Sequence, residues 1–174
     1  MQVCRKIVAE KGLPALNMRT VADECHIALG TLYNYYSGKE DLLIATIESV
    51  WRDIFHAGQQ RSPLPFPEYV VDFFERIQGG IAEYPNFFMA HSMSLANSGK
   101  GKGKATMEHY FGHIKTNMLE ALRADNSVDK GAFTSSFTET DLIDFVLDNI
   151  LVLLVQGKKD CSALVEIIRR VICK

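Results

Sequence analysis

NMRTVADECHIALGTLYNYYSGK, residues 17–39, is the stretch from which the rest of this chain can be read. Asn17 is placed to cap a short helix that runs through Val21, Ala22 and Cys25. A tight turn near His26 leads to another short helix, which carries Leu32 and Tyr36 inward. Ala22 is small where two helices must cross closely, and Ile27 and Leu32 are expected to fill the wedge between them. This is the logic of a helix-turn-helix, with the second helix free to enter a major groove.

Upstream of that stretch, Val3, Ile7 and Val8 mark a first helix that ends at Gly12, a position suited to a left-handed cap. Downstream, Ser37 and Glu40 fit a capping box that opens a long helix from about Lys39 to Gln59, with the apolar stripe Leu43, Ile47, Val50, Trp51 and Ile54. Pro63, Pro65 and Pro67 interrupt the chain, and Pro67 sits near the first turn of the next helix, which stops before Pro85. An apolar segment, 87–95, follows, and the Gly/Lys stretch 98–104 reads as a loop. A helix then carries Met107, Tyr110, Phe111, Ile114, Met118 and Leu122, and residues 125–137 read as loop. Two closing helices are expected at about Glu139–Gln156 and Ser162–Cys173. No segment alternates with period two long enough for a strand, so the fold class is all-α, with about nine helices.

The chain has 174 residues, 47% of them hydrophobic and 23% charged, enough to bury a core. Its longest unbroken apolar run, Ile150 to Val155, is far short of the roughly 18 residues that cross a membrane. No secretory signal opens the sequence, so the expected location is the cytoplasm, with no membrane partner. The net charge of -2 excludes a wholesale polycation, but residues 1–40 carry +1 against -3 for the remainder, the sign expected of a DNA-reading end. Cys4, Cys25, Cys161 and Cys173 show no C-x-x-C spacing and fall within or beside apolar patterns, as buried free thiols do.

The segment resembles the DNA-binding domain of the tetracycline-repressor (TetR) family of bacterial transcription regulators. The residues that carry the likeness are Val21-Ala22, Gly30-Thr31-Leu32-Tyr33, Tyr35-Tyr36, Lys39-Glu40 and Leu42-Leu43. The resemblance implies a helix-turn-helix domain over residues 1–40, with a first helix that the sequence enters part-way, and a helical ligand-binding and dimerisation domain over 41–174. It implies a homodimer on palindromic double-stranded operator DNA, acting as a repressor and released by an unknown small-molecule effector. The alternative is a relative impaired in DNA binding that acts through another protein.

Within that reading Leu29, Gly30, Thr31, Tyr33 and Asn34 lie on or near the exposed start and flank of the recognition helix. Gly30 allows close approach of the backbone, Thr31 and Tyr33 offer hydroxyls, and Asn34 suits an adenine edge or a phosphate. By resemblance, Tyr35 takes a phosphate-contacting place, Tyr36 packs inside, and Arg19 touches DNA. Lys39, in the first turn of the long helix, adds a cation for phosphate. Two departures are expected to show: His26 stands where the family often has Gly, in a left-handed turn, and Ala28 leaves the recognition helix without a side-chain cap.

The middle helices are rich in aromatic residues and methionine, which suit an adaptable apolar pocket. Its expected lining is Trp51, Phe55, Phe74, Tyr84, Phe88, His91, Tyr110 and His113. The last two helices have more apolar surface than one small bundle hides, and the family's dimer interface maps onto Leu147, Ile150, Leu151, Leu154, Ile168 and Val171. His109 and His113 stand at i, i+4 but lack a third ligand, residues 98–104 match no phosphate loop, and no nucleophile elbow is present. No catalytic set, metal or cofactor is therefore expected.

Overall fold

A computed structural model of the chain describes residues 1–56, 64–87 and 102–173, with side chains apart from those of 56 and 102–110. These residues form α1 (Gln2–Lys11), α2 (Met18–Glu24), α3 (Leu29–Tyr33), α4 (Lys39–His56), α5 (Phe66–Glu83), α6 (Lys102–Ala124), α7 (Glu139–Val155) and α8 (Ser162–Ile172). Residues 85–87 are also helical, and Leu13–Ala15 and Lys130–Ala132 are 3-10 turns. Two isolated antiparallel bridges, Val128 with Cys173 and Thr134 with Phe137, are the β pairing among the described residues. The all-α class is as expected.

The chain divides into two compact units, residues 1–59 with 79–106, and 60–78 with 107–174. This packing division differs from a boundary at residue 40, because Leu42 of α4 belongs to the same core as α1–α3. That core joins Cys4, Ile7, Leu16, Met18, Val21, Ala22, Leu32 and Leu42, with Val3, Cys25, Leu29, Tyr36 and Leu43 packed against it. Further along the same unit Ile47, Val50, Trp51, Ile54, Tyr84 and Phe87 are buried. Trp51 stacks on Phe55 at 5.6 Å and meets Phe87 edge-on at 5.8 Å. Arg5 on α1 is held against α4 by a 2.7 Å hydrogen bond to Ser49 and a 3.5 Å ion pair with Asp53.

The second unit buries Phe66, Val70, Phe73, Phe74 and Ile77 from α5, Ile114, Met118 and Leu122 from α6, and the inner faces of α7 and α8. Its connections are pinned by polar ties: Phe66 N–H donates to Asp125 at 2.6 Å, Asp129 N–H to the Ile172 carbonyl at 2.6 Å, and Arg169 pairs with Glu68 at 2.9 Å. Thr138 and Asp141 form a reciprocal capping box that starts α7.

Three local expectations are corrected. Lys102 to Lys104, expected in a loop, are the first turn of α6; the rest of the Gly/Lys stretch, 98–101, lies outside the described residues. The helix after Ser37 begins one position later than the capping-box spacing requires, so Ser37 bonds the Asp41 carboxylate through its amide and hydroxyl rather than reaching Glu40. Gly12 has φ 76 and ψ 169, a positive-φ extended cap rather than a left-handed helical one. Residues 57–59, the expected end of the long helix, lie outside the described residues.

Candidate nucleic-acid interface

The recognition geometry is built by short-range bonds. Asn17 caps α2, its side-chain oxygen accepting the Thr20 amide at 2.9 Å while its amide donates to the Thr20 hydroxyl at 2.8 Å. Past Cys25 the chain reverses through His26, whose φ of 54 makes it the left-handed non-glycine residue among those described. Ile27 N–H returns to the Ala22 carbonyl at 3.0 Å and closes the turn. Ala28 precedes α3 in extended backbone and supplies no side-chain cap. Both departures thus appear where they were expected.

Helix α3 separates its side chains cleanly. Leu32 is buried, and Leu29 and Tyr36, three and four residues to either side, are half-buried against the same core. The opposite face presents Gly30, Thr31 and Asn34 to solvent, with Tyr33 and Tyr35 beside it at 51% and 77% exposure. Arg19 on α2 and Lys39 at the start of α4 are exposed as well. Of the residues expected to meet DNA, only Leu29 is turned inward, because it falls on the Leu32 stripe. Ile27 goes the other way: it is 38% exposed and is not part of the core it was expected to wedge. An ideal Cβ on Gly30 would meet nothing within 4 Å, so the protein's own packing makes no demand for glycine there.

The expected pocket is only partly within reach of description. Trp51, Phe55 and Tyr84 fall in the first unit, together with Phe87, which packs against Trp51. Phe74 is buried in the second unit, and His113 is exposed on α6. Phe88 and His91 lie outside the described residues, as does the side chain of Tyr110. None of the eight lines the open cleft of about 440 Å³ formed by Pro65, Pro67, Glu68, Ser127, Arg169, Arg170 and Cys173. No group of three metal-ligating side chains occurs among the described residues.

On the closing helices Leu147, Ile150 and Ile168 are buried in the unit's own core, Leu151 and Leu154 are half-buried, and Val171 is exposed. The apolar side chains left outside are Phe145, Val152 and Val155 on α7 and Ile167 and Val171 on α8. Periodicity could have found them only by choosing between two apolar faces of α7, and the run 150–155 is apolar all round. Among the described residues no helix is long and apolar enough to cross a membrane.

Residues 2–46 match the family model of bacterial regulatory proteins, tetR family. Over 54 residues the chain is 37% identical to the HTH-type transcriptional regulator BetI of Burkholderia ambifaria, covering 31% of this chain and 28% of that protein. The matched stretch thus spans less than a third of the length of that curated relative. The fold is similar to that of the fatty acid degradation regulator FadR from Bacillus halodurans, with a TM-score of 0.63 at 17% identity over 97% of this chain and 89% of that one. It is also similar to a TetR family protein from Vibrio parahaemolyticus, with a TM-score of 0.57 at 18% identity over 99% and 96% of the two chains. The helix-turn-helix with its exposed recognition edge lies in the segment, residues 2–46, that is similar to the tetR family of bacterial regulatory proteins.

Proposed function

We propose that the chain is a transcriptional repressor that binds palindromic operator DNA as a homodimer and is released by a small-molecule effector. The observation that carries this reading is the two-faced α3: Leu29, Leu32 and Tyr36 anchor it, and Gly30, Thr31, Tyr33, Asn34 and Tyr35 stand exposed. Phosphate contacts come from Lys39, Arg19 and the tyrosine hydroxyls, which fix register, while Thr31 and Asn34 face base edges. The exposed Phe145, Val152, Val155, Ile167 and Val171 support a two-fold interface through α7 and α8. Such a dimer sets its two recognition helices about one DNA turn, roughly 34–36 Å, apart. An effector would act by binding more tightly to the state with the wrong head separation.

The test is a gel shift of the full chain with duplex from its own upstream region. A salt-sensitive, sequence-selective shift is expected. Its absence, with a protein partner captured without DNA, would replace the reading with that of a co-regulator acting through protein contacts.

A further inference from the structure

Residues 26–38 contain no Asp, Glu, Lys or Arg. The commonest specific base contact, a bidentate Arg or Lys on guanine, therefore has no donor anywhere on α3 or its turns. What the edge does offer is apolar: Ile27, 38% exposed outside the core, the exposed methyl of Ala28, and the γ-methyl of the exposed Thr31. Beside them, a Cβ on Gly30 would meet nothing within 4 Å. Ile27 is absent from the core to which Leu32, Leu29 and Tyr36 belong.

We infer that this edge reads thymine by the C5 methyl group, through Ile27, Ala28 and Thr31, and that Asn34 is the one amide available to pair with an adjacent adenine edge. The thymine methyl is the only apolar group that a base pair presents in the major groove, and Asn pairs bidentately with adenine N6 and N7. The half-site is accordingly rich in A·T pairs at the positions under α3. This inference rests on the operator-binding reading above and narrows it to a chemistry.

The experiment starts by selecting tight binders of the full chain from a pool of random-sequence duplexes. Each thymine of the selected half-site is then replaced by deoxyuridine, which removes the methyl and keeps the Watson–Crick pair. Affinities are measured by fluorescence anisotropy for the wild-type chain, Ile27→Ala and Thr31→Ser. Deoxyuridine at one or more positions is expected to weaken wild-type binding about three- to tenfold per methyl. The same replacement should cost less in the variant whose side chain met that methyl. Ile27 and Thr31 are both exposed, and unchanged thermal melting shows that each variant still folds. Selective binding that is indifferent to deoxyuridine at every thymine would overturn the inference while the operator reading stands. Equal deoxyuridine penalties in the wild type and both variants would overturn the assignment to these side chains. No sequence-selective binding at all would overturn the operator reading, and the inference with it.

Discussion

Tyr84 donates a 2.7 Å hydrogen bond from its phenol to Asp53, whose other oxygen lies 3.5 Å from the Arg5 guanidinium. Arg5 in turn donates to Ser49 at 2.7 Å. One carboxylate thereby ties α1 to α4 and to the residue that follows α5. Tyr84 is 3% exposed, so water is a poor substitute for Asp53. Tyr84→Phe should cost about 1 kcal/mol, read as a lower melting temperature. Burial, and then the bond to Asp53 and its charge, push the phenol well above the ordinary tyrosine range. The folded state therefore holds this proton more tightly than the unfolded state does. The associated stability is complete below about pH 10 and declines as the pH rises further. Tyr84→Phe should flatten that alkaline decline, measured by denaturant titration at increasing pH.

Gly80 is required by packing. A Cβ there would stand 2.7 Å from Cγ1 and 2.8 Å from Cδ1 of Ile54. Replacing glycine in a helix by alanine ordinarily stabilises by about 1 kcal/mol. Here the sign should reverse, with Gly80→Ala destabilising by about 1–3 kcal/mol. Adding Ile54→Val, which removes Cδ1, should give a double variant more stable than the two single losses predict. Urea midpoints of the four proteins measure this.

Gly30 behaves in the opposite way, since nothing stands within 4 Å of its missing side chain. Gly30→Ala should leave the melting temperature unchanged or higher, by up to about 1 kcal/mol of stability. Affinity for a selected operator should fall by about tenfold or more, because the methyl projects from the edge offered to DNA. A loss of binding with no loss of stability separates contact from folding.

Val152 is 53% exposed on α7, between Phe145 and Val155. If these side chains meet their symmetry mates, Val152→Glu buries an unpaired charge at the contact, at a cost of about 3 kcal/mol or more per dimer. Sedimentation should show dimer converting to monomer, with helix content by circular dichroism retained.

Burial alone would raise the Asp125 carboxyl, but the Phe66 amide and the amide and hydroxyl of Ser127 outweigh it and hold the group below the usual aspartate range. A depressed folded pKa contributes stability above the unfolded value, about 3.9, that is lost as the pH falls through the folded one. Asp125→Ala should cost about 1–3 kcal/mol near neutral pH and lose part of that penalty in acid, as measured by thermal melts.

Much of the head was legible because its signals are local. The Asn17 cap, the left-handed turn at His26 and the missing cap at Ala28 depend on residues within four positions of one another. The 3.6-residue period likewise located the helices and the inward Leu32 and Tyr36. Where it failed, two near neighbours competed for one site: Asp41 took the Ser37 bond expected of Glu40, and Leu29 took the inward place expected of Ile27.

The order of short helices, the absence of a guanine-reading cation between residues 26 and 38, and the all-α class follow from the sequence alone, because composition and spacing are properties of the chain before it folds. The tertiary structure decided which apolar side chains are spent on the core. Leu147, Ile150 and Ile168 are consumed within one unit, whereas Val152, Val155 and Ile27 are left outside. A helix that is hydrophobic all round presents several equivalent stripes, and only the neighbours packed against it choose among them.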